Sequence, residues 1–116
     1  MLDHMTPKVI TTDTASVNKG PGEKCYVLLS GADTSGQFGL NEFEIQPGYG
    51  PPYHVHSHED EVFIVTEGAI EFTVDGQKIL APAGTTVFAP RNVPHRFQGA
   101  GTTTSRMFLF ITGDNF

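Results

Sequence analysis

The residues best suited to chemistry lie close together in the middle of this 116-residue chain. Between Gly48 and Gly68 the sequence reads GYGPPYHVHSHEDEVFIVTEG, with three histidines and three acids within eight residues. His54 and His56 are two residues apart, so on an extended strand both imidazoles point to the same side. Imidazole and carboxylate are ligands that first-row transition metals accept in proteins. The spacing therefore predicts a metal site.

A third ligand has to come from beyond a regular strand through the histidine pair. The Cα of His58 would lie roughly 13 Å from that of His54 at about 3.3 Å per residue, which is too far for both imidazoles to bind one ion at about 2.1 Å. If residues 57–60 form a solvated turn, strand 61–65 returns antiparallel and brings Glu61 over the pair. Replacement of one of the ligands by His58 stays an alternative.

The same stretch resembles the first motif of the cupin family, in which Gly, His-x-His, Glu and a second Gly recur at fixed spacing. The flanking PPYHVHSHEDEVFIVTEG is similar to small single-domain cupins related to quercetin dioxygenases. The resemblance assigns residues 48–68 to motif 1. The matching positions in this chain are Gly48, His54, His56, Glu61 and Gly68.

Residues 84–99 resemble the second cupin motif. Its glycine, its proline and His95 agree with the pattern, and the resemblance makes His95 the fourth metal ligand. Asn92 stands where the family usually has Gly, a mild change because Asn tolerates positive φ better than other non-glycine residues. Gly99 stands where Asn is usual, which weakens the end of the motif but removes no ligand.

The implied ligand set is His54, His56, Glu61 and His95, holding one divalent transition metal. Three imidazoles and one carboxylate leave one or two positions open on a five- or six-coordinate ion, which suits catalysis. Fe, Mn, Ni, Co, Cu and Zn all accept these ligands, so the sequence does not name the metal. An enolate, phenolate or hydroxyketone oxygen would bind there and become more acidic. Glu61 would be the catalytic residue that accepts the substrate proton.

Short strands separated by glycine and proline turns must position these groups. Asp75-Gly76 is a two-residue hairpin signal, and no stretch shows a sustained helical period. The pattern predicts an all-β barrel or sandwich, and the resemblance specifies a double-stranded β-helix, the jelly-roll barrel of cupins. Further strands are predicted at 25–29, 38–45, 70–74, 77–80, 85–89 and 105–112.

Strand parity predicts an aromatic substrate pocket and a neutral substrate. Phe63 shares a side with Glu61, Phe97 shares one with His95, and Phe72 lies on another inward face, so we expect these three rings to contact the substrate. Only Arg106 is placed to reach an anion near the site. A neutral aromatic or polyketide-like compound with an acidic hydroxyl next to a carbonyl is therefore predicted, rather than a sugar phosphate.

Size and charge limit the other possibilities. The chain is predicted to be one domain, residues 1–116, with residues 1–20 as a polar lead that contains one short strand. A net charge of −6 and scattered basic residues exclude nucleic acid and anionic membrane surfaces as expected partners. The lone Cys25 is expected to be a core residue. Without an N-terminal apolar run, the cytoplasm is the expected location.

A homodimer is predicted from the small core, the exposed strand edges and an N-terminal segment that could pair with a partner's sheet. The leading functional hypothesis is a metal-dependent dioxygenase, because the resemblance is to cupins related to quercetin dioxygenases. The first alternative is a non-redox isomerase, cyclase or lyase that uses the same enolate without O2. The second is a non-catalytic barrel that binds a metal or a small ligand.

Overall fold

The computed structural model describes residues 5–113, which form nine strands and one short 3-10 helix at Ala32–Thr34. Within these residues no helix is long and apolar enough to cross a membrane. In chain order the strands are β1 (Ser16–Gly20), β2 (Glu23–Leu29), β3 (Phe38–Ile45), β4 (Glu59–Glu67), β5 (Ala69–Val74), β6 (Gln77–Pro82), β7 (Thr86–Ala89), β8 (His95–Gly99) and β9 (Ser105–Gly113).

Two antiparallel sheets form the barrel. The larger sheet has the strand order β1-β2-β3-β9-β4-β7, and the smaller has the order β6-β5-β8. Strands distant in sequence, such as β3 and β9, are paired along their full length. The chain therefore has the all-β jelly-roll architecture predicted from its sequence.

The core lies between the two sheets and follows the alternation of each strand. On β4, Glu61, Phe63 and Val65 are buried, while Val62 and Ile64 point outward. The same alternation holds on β9, where Ser105, Met107 and Leu109 are buried and face inward. The buried apolar residues are Ile45, Phe63, Val65, Ile70, Phe72, Ala81, Val87, Ala89, Phe97, Met107 and Leu109.

The β5–β6 hairpin has the turn that its sequence predicts. Asp75 and Gly76 have φ values of 50° and 80°. Two consecutive positive φ values are typical of a type I′ turn, whose twist matches that of the flanking strands. Residues 16–20 of the polar lead form β1, which pairs with β2 of the same chain.

The segment that carries His54 and His56 differs from the prediction. It is a loop between β3 and β4, in which His54 makes a single antiparallel bridge to His95. The predicted return strand begins at Glu59 and is hydrogen-bonded along both edges, to β7 and β9. The expected hairpin between 54–56 and 61–65 is therefore wrong, because β4 has no free edge on which the histidine segment could pair.

Two departures from the family pattern in the second motif have local explanations. Asn92 has a φ of 68°, a conformation that Asn adopts more easily than other residues with a side chain. At Gly99, an added Cβ would lie 2.4 Å from the carbonyl oxygen of Gln46. The loop after β3 approaches β8 so closely that only glycine is accommodated at this position.

Candidate metal centre

The four predicted ligands come from three separate parts of the fold. His54 and His56 lie on the loop after β3, Glu61 is near the start of β4, and His95 is the first residue of β8. Backbone hydrogen bonds fix the loop to the second motif. They run from the His54 N–H to the His95 oxygen (2.9 Å), from the His95 N–H to the His54 oxygen (2.8 Å) and from the Asn92 N–H to the His56 oxygen (2.7 Å).

The side chains of the four residues converge on one point. One ligand atom from each of them lies within 4.8 Å of the others. His95 Nε2 is 2.7 Å from Glu61 Oε1, and His56 Nε2 is 3.6 Å from the same oxygen. Atoms that bind one ion at about 2.1 Å can be at most about 4.2 Å apart. Small side-chain adjustments are therefore enough for this group to hold a metal.

The second nitrogen of each imidazole has a hydrogen-bond acceptor beside it. An acceptor at Nδ1 favours the tautomer with a proton on that nitrogen and leaves the Nε2 lone pair free for a metal. All three histidines therefore present the same nitrogen to the centre. The acceptors are the Pro52 carbonyl oxygen for His54 (2.8 Å), Glu59 Oε2 for His56 (2.6 Å) and the Val93 carbonyl oxygen for His95 (3.1 Å).

The electrostatics of His95 reflect its buried position next to a carboxylate. Burial lowers its pKa, but the hydrogen bonds to Glu61 and to the Val93 carbonyl outweigh burial, so the pKa lies above its ordinary value. His95 Nε2 and Glu61 Oε1 lie 2.7 Å apart. A metal that binds both atoms would take the place of the hydrogen bond between them.

Exposure increases across the centre from one side to the other. The side chain of His95 is 1% exposed and that of Glu61 is 8% exposed, whereas His56 is 34% exposed. His54 is also partly exposed. The centre is therefore buried on the side of β4 and β8 and open on the side of the histidine loop. A small molecule can reach it from that side.

Comparison with known proteins identifies the family. Residues 41–112 match the family of the cupin domain. The chain belongs to the cupin family. Protein SchB of Streptomyces halstedii is 27% identical over 107 residues, which cover 90% of this chain and 76% of SchB.

The solved structures that resemble this one include a polyketide cyclase and a protein named KdgF. The polyketide cyclase RemF from Streptomyces resistomycificus is 26% identical with a TM-score of 0.77, over 95% of this chain and 81% of RemF. KdgF from Halomonas sp. is 16% identical with a TM-score of 0.82, over 95% of this chain and 96% of KdgF. The second likeness concerns the fold alone.

The three phenylalanines predicted to contact the substrate lie on the buried side of this cupin's centre. Their rings pack against one another, with centroids 5.2 Å apart for Phe63 and Phe72 and 5.4 Å apart for Phe63 and Phe97. Phe63 also meets His95 edge to face at 6.1 Å. The three rings therefore pack against the buried side of the metal centre. Their contact with a substrate stays a prediction.

Two acids that sequence reasoning placed in a solvated turn have defined partners. Glu59 and Asp60 both belong to β4. Glu59 contacts His56 as described, and the Asp60 carboxylate accepts hydrogen bonds from the side chain of Arg91 at 3.1 and 3.2 Å. These bonds hold the pKa of Asp60 below its usual range. The sequence signal for the role of Glu59 was an acid three residues after a proposed ligand histidine.

His58 is exposed, and it is not one of the four convergent residues.

Arg106 does not face the centre. It alternates with the buried Ser105 and Met107 on β9, and its guanidinium contacts Glu44 at 3.1 Å and Glu67 at 3.4 Å on the outside of the larger sheet. The expectation that Arg106 could reach an anion near the metal is therefore wrong.

Cys25 is half-buried on β2 and is not one of the buried core residues, so the expectation of a core position is not met. It pairs with Phe43 across β2 and β3. Burial, and to a smaller extent the charge of Glu23, raises the pKa of its thiol to about 11. The thiol is therefore protonated near neutral pH, which is unfavourable for a nucleophile.

Proposed function

We propose that this cupin is a metal-dependent enzyme that closes a ring in a neutral, polyketide-like hydroxy-carbonyl compound. The observation that supports it most is the convergence of three imidazoles and one carboxylate at the open side of the barrel, each imidazole with Nε2 available. The 26% identity to a polyketide cyclase over 95% of the chain favours ring closure over the other reactions of such a centre.

The proposed ligands are His54, His56, Glu61 and His95, and the metal is a divalent ion of Fe, Mn, Ni, Co, Cu or Zn. A divalent cation held there would stabilise the negative charge that develops on an enolate oxygen. The donor set suits such an ion, because it contains no thiolate and its carboxylate balances part of the charge.

Glu61 is the proposed catalytic base. Its carboxylate accepts the proton from a carbon that lies between two carbonyl groups, and the electron pair left on that carbon attacks a further carbonyl carbon of the same molecule. A carbon–carbon bond forms, and the attacked oxygen takes up a proton to become a hydroxyl. Loss of that hydroxyl with a neighbouring proton as water leaves a double bond in the new ring. The reaction needs no oxidant.

The surroundings of Glu61 suit this role. The packed rings of Phe63, Phe72 and Phe97 exclude water from the buried side, so the carboxylate is shielded except toward the open side. Two arginines that could have bound an anionic substrate have partners within the chain. Arg91 contacts Asp60, and Arg106 contacts Glu44. These contacts favour a neutral substrate over a phosphate.

Oxygenation by the same centre is the second candidate function. The likeness of PPYHVHSHEDEVFIVTEG to cupins related to quercetin dioxygenases favours it. In that case the activated carbon would react with O2 instead of an internal carbonyl.

Turnover of linear poly-β-ketone analogues with and without O2 separates the two functions. We expect a product that equals the substrate or has lost water, formed at the same rate under nitrogen and in air. We also expect Glu61→Gln to lower the rate at least about 100-fold. Consumption of O2 in proportion to product would favour the dioxygenase and contradict ring closure.

We further propose a homodimer formed through an outer apolar face of the larger sheet. The residues of this face lie next to one another on β3, β9, β4 and β7, because these strands are paired. The six strands of the larger sheet comprise 42 residues, which at about 3.3 Å by 4.8 Å each give the sheet a surface of roughly 670 Å². A standard interface buries about 800 Å² per partner, so this sheet can supply most of the area that a dimer needs. The outer apolar face consists of Leu40, Val62, Ile64, Phe88, Phe108 and Phe110.

The charges around this face favour a second copy over a charged partner. Arg106 contacts Glu44 at 3.1 Å at one end of the sheet, and Arg91 contacts Asp60 at 3.1 Å at the other. Each of these arginines is paired with a carboxylate of the same chain. The outer apolar face therefore has ion pairs at its two ends and no charged side chain among its six residues. That pattern suits a self-complementary interface.

A further inference from the structure

We propose that a recess at the open end of the barrel binds the apolar body of the substrate and that Asn41 determines its specificity. This inference rests on the proposed function, because it concerns a ligand held at the metal centre. The recess has a volume of about 330 Å³, at the lower end of the range for small-molecule sites. Its lining includes Val27, Leu29, Ala32, Gly39, Asn41 and Ile111.

The recess adjoins the metal centre across two strands. Ile111 on β9 pairs with Glu61 on β4, and on its other side it pairs with Gly39 on β3. Because neighbouring strands lie about 4.8 Å apart, Ile111 and Gly39 lie about 5 and about 10 Å from the Glu61 backbone, and Val27 on β2 lies about 14 Å from it. Gly39 has no side chain to fill this space. A ligand bound at the metal through oxygen can therefore extend into the recess.

The lining selects for an uncharged, flat and mostly apolar group. Val27, Leu29, Ala32 and Ile111 provide hydrocarbon surface, and none of the recess residues that the structure describes is charged. The volume is enough for one or two fused rings, and the absence of a charged side chain in the lining disfavours a sugar phosphate. A fused aromatic or partly cyclised polyketide with a hydroxyl beside a carbonyl has these properties.

The lining has two polar side chains, Ser30 and Asn41. The Ser30 hydroxyl already donates to Asp33 Oδ2 at 3.1 Å, which leaves Asn41 as the polar group to consider. It faces inward on β3 between Leu109 of β9 and Val27 of β2, its cross-strand neighbours. Its side chain is half-buried, and within residues 5–113 its amide makes no side-chain hydrogen bond. An amide facing apolar neighbours gains most from a partner supplied by a ligand. Asn41 would therefore recognise a hydroxyl or carbonyl on the substrate away from the metal.

The test uses zinc-loaded protein, in which oxidation is prevented, and the unsubstituted flavonol as a fluorescent probe. Ala32→Trp introduces a ring at the exposed rim of the recess, and Asn41→Leu removes the amide at similar volume. Glu42→Gln is the matched control, because it is the next residue on β3 and faces the other side of the sheet. Zinc content is measured first for every protein.

We expect all four proteins to hold zinc equally. Ala32→Trp should weaken flavonol binding at least 10-fold, Asn41→Leu should weaken it about 3- to 10-fold, and Glu42→Gln should bind like the wild type. Equal binding by all zinc-loaded proteins, or no binding by zinc-loaded wild type, would overturn the recess while leaving the metal centre intact. Failure of the wild type to hold zinc would overturn the proposed function and the recess together.

Discussion

Glu59 orients His56, because its Oε2 lies 2.6 Å from His56 Nδ1. The other two proposed ligand histidines have backbone carbonyl oxygens beside Nδ1, so of the three only His56 has a charged partner at that nitrogen. Loss of such a partner typically reduces metal affinity about 10- to 100-fold. We expect this loss for Glu59→Ala, measured by competition with a chromogenic chelator. Glu59→Gln, which keeps an acceptor oxygen, should recover part of the affinity.

The control for this prediction is Asp60→Asn. Asp60 is the next residue on β4 and contacts Arg91 instead of a ligand. Its substitution should leave metal affinity within about 2-fold of the wild type, since it changes neither ligand orientation nor tautomer. Equal affinity of Glu59→Ala and the wild type would show that the contact does not orient His56.

The convergence of the four proposed ligands could be predicted from the sequence because residue type and motif spacing carry that information. The role of Glu59 could not, because it depends on how residues 57 and 58 bend before β4 begins. The orientation of the Arg106 side chain was predicted wrongly for a related reason. Residue spacing did not show that its side chain faces outward beside Glu44, which requires the register between β9 and β3.

At the scale of the elements, β8 depends on close contact with the loop after β3. A Cβ at Gly99 would lie 2.4 Å from the Gln46 oxygen, a backbone atom that cannot move without the loop. We expect Gly99→Ala to lower the free energy of unfolding by about 1–3 kcal/mol, measured by urea denaturation. Because the same loop carries His54, metal affinity should also fall.

Gly20→Ala is the matched control for Gly99→Ala. A Cβ at Gly20 would have the Glu23 side chain as its nearest neighbour, at an ordinary contact distance of 3.6 Å. We expect a change below about 0.5 kcal/mol for this variant. Similar destabilisation by both substitutions would mean that the close approach at Gly99 has no special cost.

The strands were more predictable than their partners. Alternation within β3 gave its bounds and its faces, and Asp75-Gly76 gave the β5–β6 hairpin, because both are local patterns. The placement of β4 between β7 and β9 depends on pairing between distant segments. The sequence therefore predicted a strand at Glu61 but the wrong neighbour for it.

At the scale of the whole molecule, the outer apolar face tests the homodimer. Phe88 is 57% exposed, so Phe88→Glu should leave the fold of a single chain intact while placing a charge at the interface. We expect light scattering at micromolar concentration to give the mass of two chains for the wild type and of one chain for Phe88→Glu. Leu80→Glu is the control, because Leu80 is 66% exposed on the smaller sheet. A single-chain mass for the wild type would refute the dimer.

The central claim is that His54, His56, Glu61 and His95 hold one metal ion, and elemental analysis of purified variants tests it most directly. We expect about one divalent transition metal per chain in the wild type and in His58→Ala. Each of His54→Ala, His56→Ala and His95→Ala should lose most of it, because one of four protein ligands is removed. Loss of as much metal from His58→Ala as from His54→Ala, or retention of metal by His95→Ala, would contradict this account of the site.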